Sequence, residues 1–301
     1  MEEVIIEESI LNLPPLGRAV PAKPKPARPA AKTRPPVAIL GVLFHPLTLP
    51  ESVAEVERMI ESGQPHYIVT ANVDFLVQAR KDLELRRILL DADLLLCDGT
   101  PLVWISRWLG NALPERVAGA DLVPMLLQRA AEKEYRIFFL GGQHHVTSKA
   151  VAALEKKYPG LNIAGYYSPP FRSLLEMDHE QIAARIRAAA PDVVLVSFGC
   201  PKAEKWMAMH YQALGVPVMI GVGGTIDFLA GVKRRAPRWM QRSGTEWVFR
   251  MAQEPQRLAK RYLKDCWRFF PAVFRQGWHS QGHGRTEGAS RSANVMREPR
   301  W

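Results

Sequence analysis

Short apolar runs alternate with amphipathic segments through the middle of the chain. The apolar runs that predict strands cover residues 37–42, 66–70, 93–97, 136–140, 163–167, 192–198 and 217–222. Apolar positions at helical spacing predict helices over residues 50–62, 74–90, 122–134, 147–158, 179–190 and 203–214. Strands that alternate with helices of this length are typical of βαβ units. We therefore predict an α/β fold with a Rossmann-like, mainly parallel, doubly wound sheet and helices on both faces.

The C-terminal segment has a different pattern. We predict a helix from Glu254 and Pro255 onward, because proline is favoured in the first turn of a helix. Its cations recur at spacings of three, four and seven and share one face, namely Arg257, Lys260, Arg261, Lys264, Arg268 and Arg275. Its other face carries Leu258, Tyr262, Cys266, Phe269, Phe270 and Val273, joined by Trp267, Phe274 and Trp278. Such a helix suits a membrane interface, although the same apolar face would also serve to pack against the protein's own core.

These patterns divide the chain into four parts. Residues 1–36 interleave proline with lysine and arginine, which predicts a disordered tail. Residues 37–235 form the α/β domain, and residues 236–276 form a membrane-associating helical appendage. Residues 277–301 are rich in glycine, serine and arginine and are predicted to be a second disordered tail. The acidic N-terminus does not resemble a secretory signal, and no apolar run reaches about 18 residues, so we expect any membrane contact to be peripheral.

The charge of the chain narrows the choice of partner. Its 301 residues include 40 Lys and Arg against 30 Asp and Glu, which gives a formal net charge of +10. This excess favours an acidic partner, whether nucleic acid, phosphorylated substrate or anionic lipid. Cys97, Cys200 and Cys266 lack paired spacing, which indicates reduced thiols in a cytosolic protein.

Small or polar residues follow nearly every predicted strand of the sheet. They are Thr70, Asn72 and Asp74; Asp98, Gly99 and Thr100; Gly141 and Gly142; Gly199, Pro201 and Lys202; and Gly221, Gly223 and Gly224. Ligands of a doubly wound sheet bind beyond the carboxyl ends of its strands. Turn formation would explain one such ending, but five endings at the same edge predict a shared pocket.

Asp98 is the ionisable group of greatest interest in that pocket. It follows an apolar strand directly, where a carboxylate is able to act as general base toward an attacking hydroxyl. The alternative is a helix N-cap, since Asp98-Gly99-Thr100-Pro101 is also a good helix start. Thr70 and Asn72 carry the same ambiguity, because a hydroxyl and an amide serve a ligand or the backbone equally well.

Two glycine turns are candidates for binding phosphate. Gly141 and Gly142 lie between a strand and a helix, and Gly221–Gly224 end another strand. Neither turn completes a dinucleotide fingerprint or a P-loop. The turns therefore favour a nucleotide without indicating NAD.

The sequence offers little support for a metal site. Asp91 and Asp93 form an Asp-x-Asp pair, but they lie where a helix ends and a strand begins, at the sheet edge opposite the pocket. His144 and His145 lack the spacing of a helical metal site. We expect no metal and no cofactor.

Several short motifs occur in an order that resembles a known family. They are Thr70-Ala71-Asn72, Cys97-Asp98-Gly99, residues 116–121 (RVAGAD), Gly199-x-Pro201-Lys202-x-Glu204, residues 221–227, Arg235-Ala236-Pro237, Glu246-Trp247 and Glu254-Pro255. Each motif alone is modest, but the ordered set resembles the WecG/TagA/CpsF glycosyltransferase family over about residues 39–274.

The resemblance implies an inverting, metal-independent transfer of a sugar from a UDP-sugar to a polyprenyl-diphosphate-linked sugar. That reaction belongs to surface polysaccharide assembly at the cytoplasmic face of the membrane. By this resemblance Asp98 is the base, with Thr70 and Asn72 beside it, while Arg116 and Asp121 shape the donor or acceptor site. Lys202, Glu204, Gly223 and Asp227 fall in motifs expected to line the nucleotide-sugar pocket, and Gly141, Gly142 and Gly224 belong to the candidate phosphate cradles. Arg250, Arg257 and Arg261 are expected to help stabilise the departing UDP.

This chain departs from the family pattern at three positions. Ala203 stands where the family usually has Gln, Thr245 where it has Leu, and Ile226 where an aromatic residue is common. The departures leave the identity of the sugar open, and the sequence also leaves the oligomeric state open.

Two other function classes are compatible with parts of the pattern. A nucleotide-dependent oxidoreductase would use the glycine turns. A basic nucleic-acid-binding protein would use the positive charge, but the aromatic residues gather on the apolar face of one helix instead of alternating along a basic groove. We therefore expect no nucleic-acid partner.

Overall fold

The computed structural model describes residues 34–293, except the side chains of residues 242, 257 and 279–293. The predicted tails therefore lie outside the described residues over 1–33 and 294–301. The chain begins with a short antiparallel hairpin, β1 (Val37–Ile39) and β2 (Val42–Phe44). The hairpin is separate from the main sheet.

Six parallel strands form the main sheet. They are β3 (His66–Ala71), β4 (Leu94–Cys97), β5 (Arg136–Gly141), β6 (Asn162–Tyr167), β7 (Val193–Ser197) and β8 (Val218–Gly221). Their order across the sheet is β4-β3-β8-β7-β5-β6, and every pairing is parallel. The predicted α/β fold class is confirmed.

Helices cover both faces of this sheet. They are α1 (Leu49–Ser62), α2 (Val73–Ala79), α3 (Leu83–Asp91), α4 (Thr100–Trp108), α5 (Gly119–Lys133), α6 (His144–Lys157), α7 (His179–Ala189), α8 (Lys202–Leu214), α9 (Thr225–Leu229), α10 (Arg238–Ser243), α11 (Glu246–Gln253) and α12 (Pro255–Ala293). Alternate strand residues enter two different apolar clusters, so that Val69 belongs to one and its neighbour Ile68 to the other. Burial on both faces explains why the strands are continuously apolar instead of alternating.

The prediction of one strand over residues 37–42 is wrong. The chain reverses at Leu40 and Gly41, whose φ angles are 52° and 74°. Two successive residues with positive φ make the tight turn that suits a two-residue hairpin loop. Gly41 adopts this conformation readily, and the turn lets Ile39 pair with Val42.

The prediction of one helix over residues 74–90 is also wrong, because the segment forms α2 and α3. Asp82 separates them, and its carboxylate accepts a hydrogen bond from the Leu85 backbone at 2.9 Å. Lys205 of α8 holds the same carboxylate at 2.8 Å. This N-cap starts a second helix where the apolar spacing alone indicated a continuous one.

Helix α12 packs one apolar side against the protein and leaves a second apolar side exposed. One side buries Leu258, Phe269 and Val273 against the protein. The other side leaves five large apolar residues exposed at a spacing of three or four, namely Leu263, Trp267, Phe270, Phe274 and Trp278. We call these five residues the outer stripe. The helix also continues to Ala293, whereas the sequence predicted a disordered tail from residue 277.

Candidate active site

The carboxyl ends of the parallel strands bring the predicted site residues to one edge of the sheet. Ala71 at the end of β3 lies beside Cys97 at the end of β4, so Asn72 and Asp98 leave the sheet next to each other. Val69 of β3 pairs with Gly221 at the end of β8. Ser197 at the end of β7 pairs with Gly141 of β5 farther along the edge. Asp98 therefore lies at the β4 end of this edge, and Gly141 lies toward its β5 end.

Asp98 does not cap the helix that follows it. Gly99 is the N-cap of α4, and no side chain caps that helix. The Asp98 backbone N–H donates to the Ala71 carbonyl at 2.8 Å, which fixes the loop against β3. The carboxylate is half-buried, and no hydrogen bond to it is found within residues 34–293. Asp98 therefore does not serve as the N-cap of α4, which was one of the two roles that the sequence left open.

The surroundings of Asp98 raise its pKa to about 7, and the main cause is burial. The positive charges of Arg116 and Arg250 oppose this rise, while Glu246 and Asp121 add to it. A carboxyl group with a pKa near the working pH is suited to exchange a proton with a hydroxyl.

A network of four charged side chains lies beside Asp98. Arg116 contacts Asp121 at 2.9 Å and Glu246 at 2.8 Å. Arg235 contacts the same two acids, Asp121 at 2.5 Å and Glu246 at 3.3 Å. The network joins the loop before α5 to α11, although these two segments are far apart in sequence. It holds Arg116 in one orientation next to Asp98.

Thr70 and Asn72 make backbone contacts. The buried Thr70 hydroxyl donates to the Gly221 carbonyl at 3.2 Å and so ties β3 to β8. The Asn72 side-chain oxygen accepts from the Asp74 backbone at 3.0 Å and caps α2. These hydrogen bonds give both side chains a structural role. Both residues also lie beside Asp98 at the sheet edge.

The two glycine turns differ in what surrounds them. A Cβ at Gly141 would lie 2.6 Å from the Ser197 carbonyl, and one at Gly142 would lie 2.7 Å from the Thr147 hydroxyl. That turn is glycine-rich because the backbone is packed tightly there. A Cβ at Gly223 would meet no atom within 4 Å, and one at Gly224 would meet only Asp227 at 3.9 Å. The second turn therefore borders open space that a ligand is able to enter.

Lys202 and Glu204 open helix α8 but occupy different environments. The Lys202 ammonium donates to the Arg172 carbonyl at 2.5 Å and lies near the rings of Phe171 and Phe198. Burial lowers its pKa. The Glu204 side chain is 3% exposed and lies against β8, where a Cβ on Gly221 would be 3.0 Å from its Oε1. Burial raises the pKa of Glu204 to about 7.

The remaining predicted residues come from the helices that follow β8. Asp227 is paired with Lys233 at 2.9 Å, and Lys233 also contacts Glu254 at 2.8 Å. Arg250 is half-buried near Asp98. Arg261 lies 3.9 Å from Asp74, and its Nε has no hydrogen-bond partner among the described groups. Arg257 belongs to α12, but its side chain lies outside the described residues.

The sequence identified Arg235 and Glu246 only as parts of motifs and assigned neither of them to the site. Their pairing with Arg116 and Asp121 spans 114 and 130 residues of chain. No local pattern signals such a contact. The order of the motifs is the signal that could have indicated these two site residues, because both lie in segments that resemble the family.

The Asp-x-Asp pair has a structural explanation. Asp93 accepts from the Tyr67 backbone at 3.0 Å and contacts the His66 ring at 3.0 Å, which joins the starts of β3 and β4. Over the part of the chain that the structure describes, no group of three or more His, Cys, Asp or Glu side chains is arranged to hold a metal ion. Within the same residues, no helix combines the length and apolarity needed to cross a membrane.

Comparison with known proteins identifies what this chain is similar to. The family model described as glycosyl transferase WecG/TagA/CpsF matches residues 37–283. An N-acetylglucosaminyldiphosphoundecaprenol N-acetyl-beta-D-mannosaminyltransferase of Bacillus spizizenii is 32% identical over 198 residues, which are 66% of this chain and 75% of the relative. A protein with the same name from Staphylococcus aureus is 29% identical over 226 residues, which are 74% of this chain and 87% of the relative.

Proposed function

The chain belongs to the WecG/TagA/CpsF family of glycosyltransferases, and on this basis we propose that it transfers a sugar from a UDP-sugar to a polyprenyl-diphosphate-linked sugar. The names of the two relatives specify N-acetylmannosamine as the transferred sugar and an N-acetylglucosamine on undecaprenyl diphosphate as the acceptor. We therefore take this donor sugar and this acceptor as the first pair to test. Family membership favours this reaction over an oxidoreductase or a nucleic-acid-binding protein.

The proposed reaction is a single displacement with Asp98 as the base. The Asp98 carboxylate removes the proton from the acceptor hydroxyl, and that oxygen forms a bond to the anomeric carbon of the donor. The bond between this carbon and the UDP oxygen breaks, and the electron pair leaves with UDP. Attack from the face opposite UDP inverts the configuration. The resulting Asp98 carboxylic acid then returns its proton to water.

The observation that carries this proposal is the environment of Asp98. The carboxylate lies at the carboxyl edge of the sheet and caps no helix. Burial brings its pKa to about 7, so that a useful fraction is deprotonated at neutral pH while the acid still forms readily. Thr70 and Asn72 lie beside it and, on this proposal, position the reacting hydroxyl.

The donor side of the proposed site is the open glycine turn with the cations near it. Gly223 and Gly224 leave room for the diphosphate, and Arg250 and Arg261 supply positive charge for the departing UDP. Lys202 and Asp227 extend this side toward β7. Gly141, Gly142 and Glu204 are packed against neighbouring backbone or side chains, so on this proposal they shape the site.

The acceptor side of the proposed site faces a lipid surface. Three aromatic side chains of the outer stripe are more than half exposed to solvent. Their exposed fractions are 85% for Trp267, 83% for Trp278 and 65% for Phe274. Lys264 and Arg268 lie on the adjacent side of the same helix. An exposed aromatic stripe beside cations suits a helix that lies in the membrane interface. We propose that the protein works at the cytoplasmic face of the membrane as a peripheral enzyme.

The transfer reaction is tested with the full-length protein, radiolabelled UDP-N-acetylmannosamine and a short-chain polyprenyl-diphosphate N-acetylglucosamine. We expect label to appear in the lipid product and UDP to be released in equal amount. Other UDP-sugars in parallel reactions test the donor identity. Absence of transfer from every UDP-sugar, together with tight NAD(P) binding, would reject the proposal in favour of an oxidoreductase.

The membrane contact is tested by vesicle co-sedimentation of the Leu263→Ser/Trp267→Ser variant. Both side chains are exposed, so the change leaves the buried side of α12 intact, unlike removal of the whole helix. We expect binding to vesicles that contain phosphatidylglycerol to fall at least about tenfold. The control is Phe171→Ser/Leu175→Ser, which removes two even more exposed apolar side chains from the segment after β6. Equal binding by the two variants would contradict a role for the outer stripe.

A further inference from the structure

A cavity lies between α12 and the hairpin turn. Its volume is about 280 Å³, and its walls come from the hairpin turn, from α2 and α3, and from α12. The residues that line it are Leu40, Arg80, Arg86, Ala272, Arg275 and Gln276. Three of the six are arginines and none is an acid. We call this cavity the arginine pocket.

The arginine pocket is held in shape by specific contacts. Gln276 accepts from the Leu40 backbone at 2.8 Å and donates to the Ala38 carbonyl at 3.1 Å, which fixes α12 to the hairpin. Arg80 donates to the Arg268 carbonyl at 3.0 Å, which fixes α2 to the same helix. Helix α12 is therefore hydrogen-bonded both to the hairpin and to the end of α2.

Gly41 has a particular part in this arrangement. A Cβ at position 41 would lie 2.5 Å from Nη2 of Arg86. The absence of a side chain therefore allows the Arg86 guanidinium to approach the hairpin backbone. This contact directs Arg86 toward the pocket, where Arg80 and Arg275 also lie.

From these contacts we infer that the arginine pocket binds a phosphate group. Three guanidinium groups without a carboxylate among the lining residues form a strongly positive site, and guanidinium matches phosphate oxygens in a bidentate geometry. The phosphate belongs either to the headgroup of a membrane lipid or to a soluble phosphorylated molecule. The neighbouring outer stripe on α12 makes a lipid headgroup accessible to the pocket.

The arginine pocket is separate from the site around Asp98. Arg261 marks the part of α12 near the sheet edge, and Arg275 lies 14 residues farther along the helix. At a rise of 1.5 Å per residue, this separation corresponds to about 21 Å along the axis. Binding there requires no transferase activity, so the inference stands or fails independently of the proposed reaction.

The test compares Arg86→Gln with Arg87→Gln in the full-length protein. The two residues are neighbours on α3 and lose the same charge, but Arg87 lies outside the pocket and is paired with Asp91. Co-sedimentation uses phosphatidylcholine vesicles with or without phosphatidylglycerol, and calorimetric titration uses inorganic phosphate and pyrophosphate. We expect Arg86→Gln to weaken binding to the anionic vesicles about fivefold and Arg87→Gln to change it much less.

The two arms of the test distinguish the sources of the phosphate. Weaker vesicle binding without measurable binding of the soluble anions supports a lipid headgroup. Loss of pyrophosphate or phosphate binding with unchanged vesicle binding supports a soluble phosphorylated ligand. Identical behaviour of the wild type, Arg86→Gln and Arg87→Gln in both arms would overturn the inference. Arg275→Gln, at an exposed position, repeats the test if Arg86→Gln does not fold.

Discussion

Two carboxyl groups of this protein have a pKa raised to about 7 by burial, but they lie in very different places. Asp98 lies at the carboxyl edge of the sheet, near Arg116 and Arg250 and beside the network that holds Arg116. Glu204 is enclosed between α8 and β8, and its Oε2 has no hydrogen-bond partner among the described groups. Burial is the main cause of the raised pKa in both acids, but charged neighbours influence the pKa of Asp98 and not that of Glu204.

The comparison shows that a raised pKa alone does not identify a general base. Burial raises the pKa of Glu204 although a backbone hydrogen bond opposes the rise, which indicates that the charged carboxylate is disfavoured in the folded state. At Asp98 the same effect is opposed by two arginines, and the residue lies half-buried at the carboxyl edge of the sheet. We therefore expect Asp98 to control the reaction and Glu204 to control stability.

The largest expected effect is on the rate of the Asp98→Asn variant. Loss of a general base reduces kcat by about 10²–10⁴-fold. Asparagine keeps the shape of the side chain, so UDP binding and the melting temperature should change little. Glu204→Gln serves as the control and should keep kcat within a few-fold of the wild type. Near-full activity of Asp98→Asn with intact UDP binding would remove Asp98 from the mechanism.

The second prediction concerns the pH dependence of stability. The pKa of Glu204 is about 7 in the folded state and 4.5 as its reference value, so the folded protein holds this proton more tightly than the unfolded chain. Its contribution to stability is therefore present below pH 4.5 and is lost as the pH rises through 7. The difference corresponds to about 3 kcal/mol.

Glu204→Gln removes this dependence. Relative to the wild type, the variant should gain about 3 kcal/mol in free energy of unfolding between pH 4.5 and pH 8. Urea unfolding at several pH values measures the difference, and groups that titrate in both proteins cancel. A constant difference across that range would show that Glu204 has an ordinary pKa.

The third prediction tests the residue before Glu204. Ala203 is 1% exposed and belongs to an apolar cluster, so its side chain does not face the open edge of the sheet. Ala203→Gln should therefore overfill this cluster and lower the free energy of unfolding by about 1–3 kcal/mol. The Michaelis constant for the donor should not improve. A lower constant with unchanged stability would mean that the position faces the donor.

The smallest effect is expected from a charge near Asp98. Arg250 lowers the pKa of Asp98, so Arg250→Gln should move the rise of kcat/KM to higher pH and reduce the rate at pH 7 about fivefold. Arg250→Lys keeps the positive charge and should restore most of the wild-type pH profile. If both variants lose activity without any change in the profile, Arg250 acts only in binding.

The sequence predicted the fold well because the relevant information is local. Continuous apolar strands between helices specify a sheet buried on both faces, and Asp98 directly follows such a strand. The position of Asp98 at the predicted pocket could therefore be deduced from the predicted fold. The hairpin was missed because Leu40 adopts a positive φ that its residue type does not signal.

Long-range contacts account for most of what the sequence did not predict. The pairing of Arg235 with Asp121 joins residues 114 positions apart, and no periodicity within either segment indicates it. The two sides of α12 could not be separated either, because Phe269 and Phe270 are equally apolar although only Phe269 is fully buried. Burial depends on where the helix docks, which is a property of the whole fold.

The bond between Leu40 and Gln276 has a consequence for how the chain acquires its structure during synthesis. The two residues are 236 positions apart, so the hairpin has no partner on α12 until the segment that forms this helix has left the ribosome. Helix α12 also carries the exposed aromatic residues of the outer stripe. The nascent chain therefore acquires the contact that fixes the hairpin and the aromatic residues of the outer stripe at the same stage of synthesis.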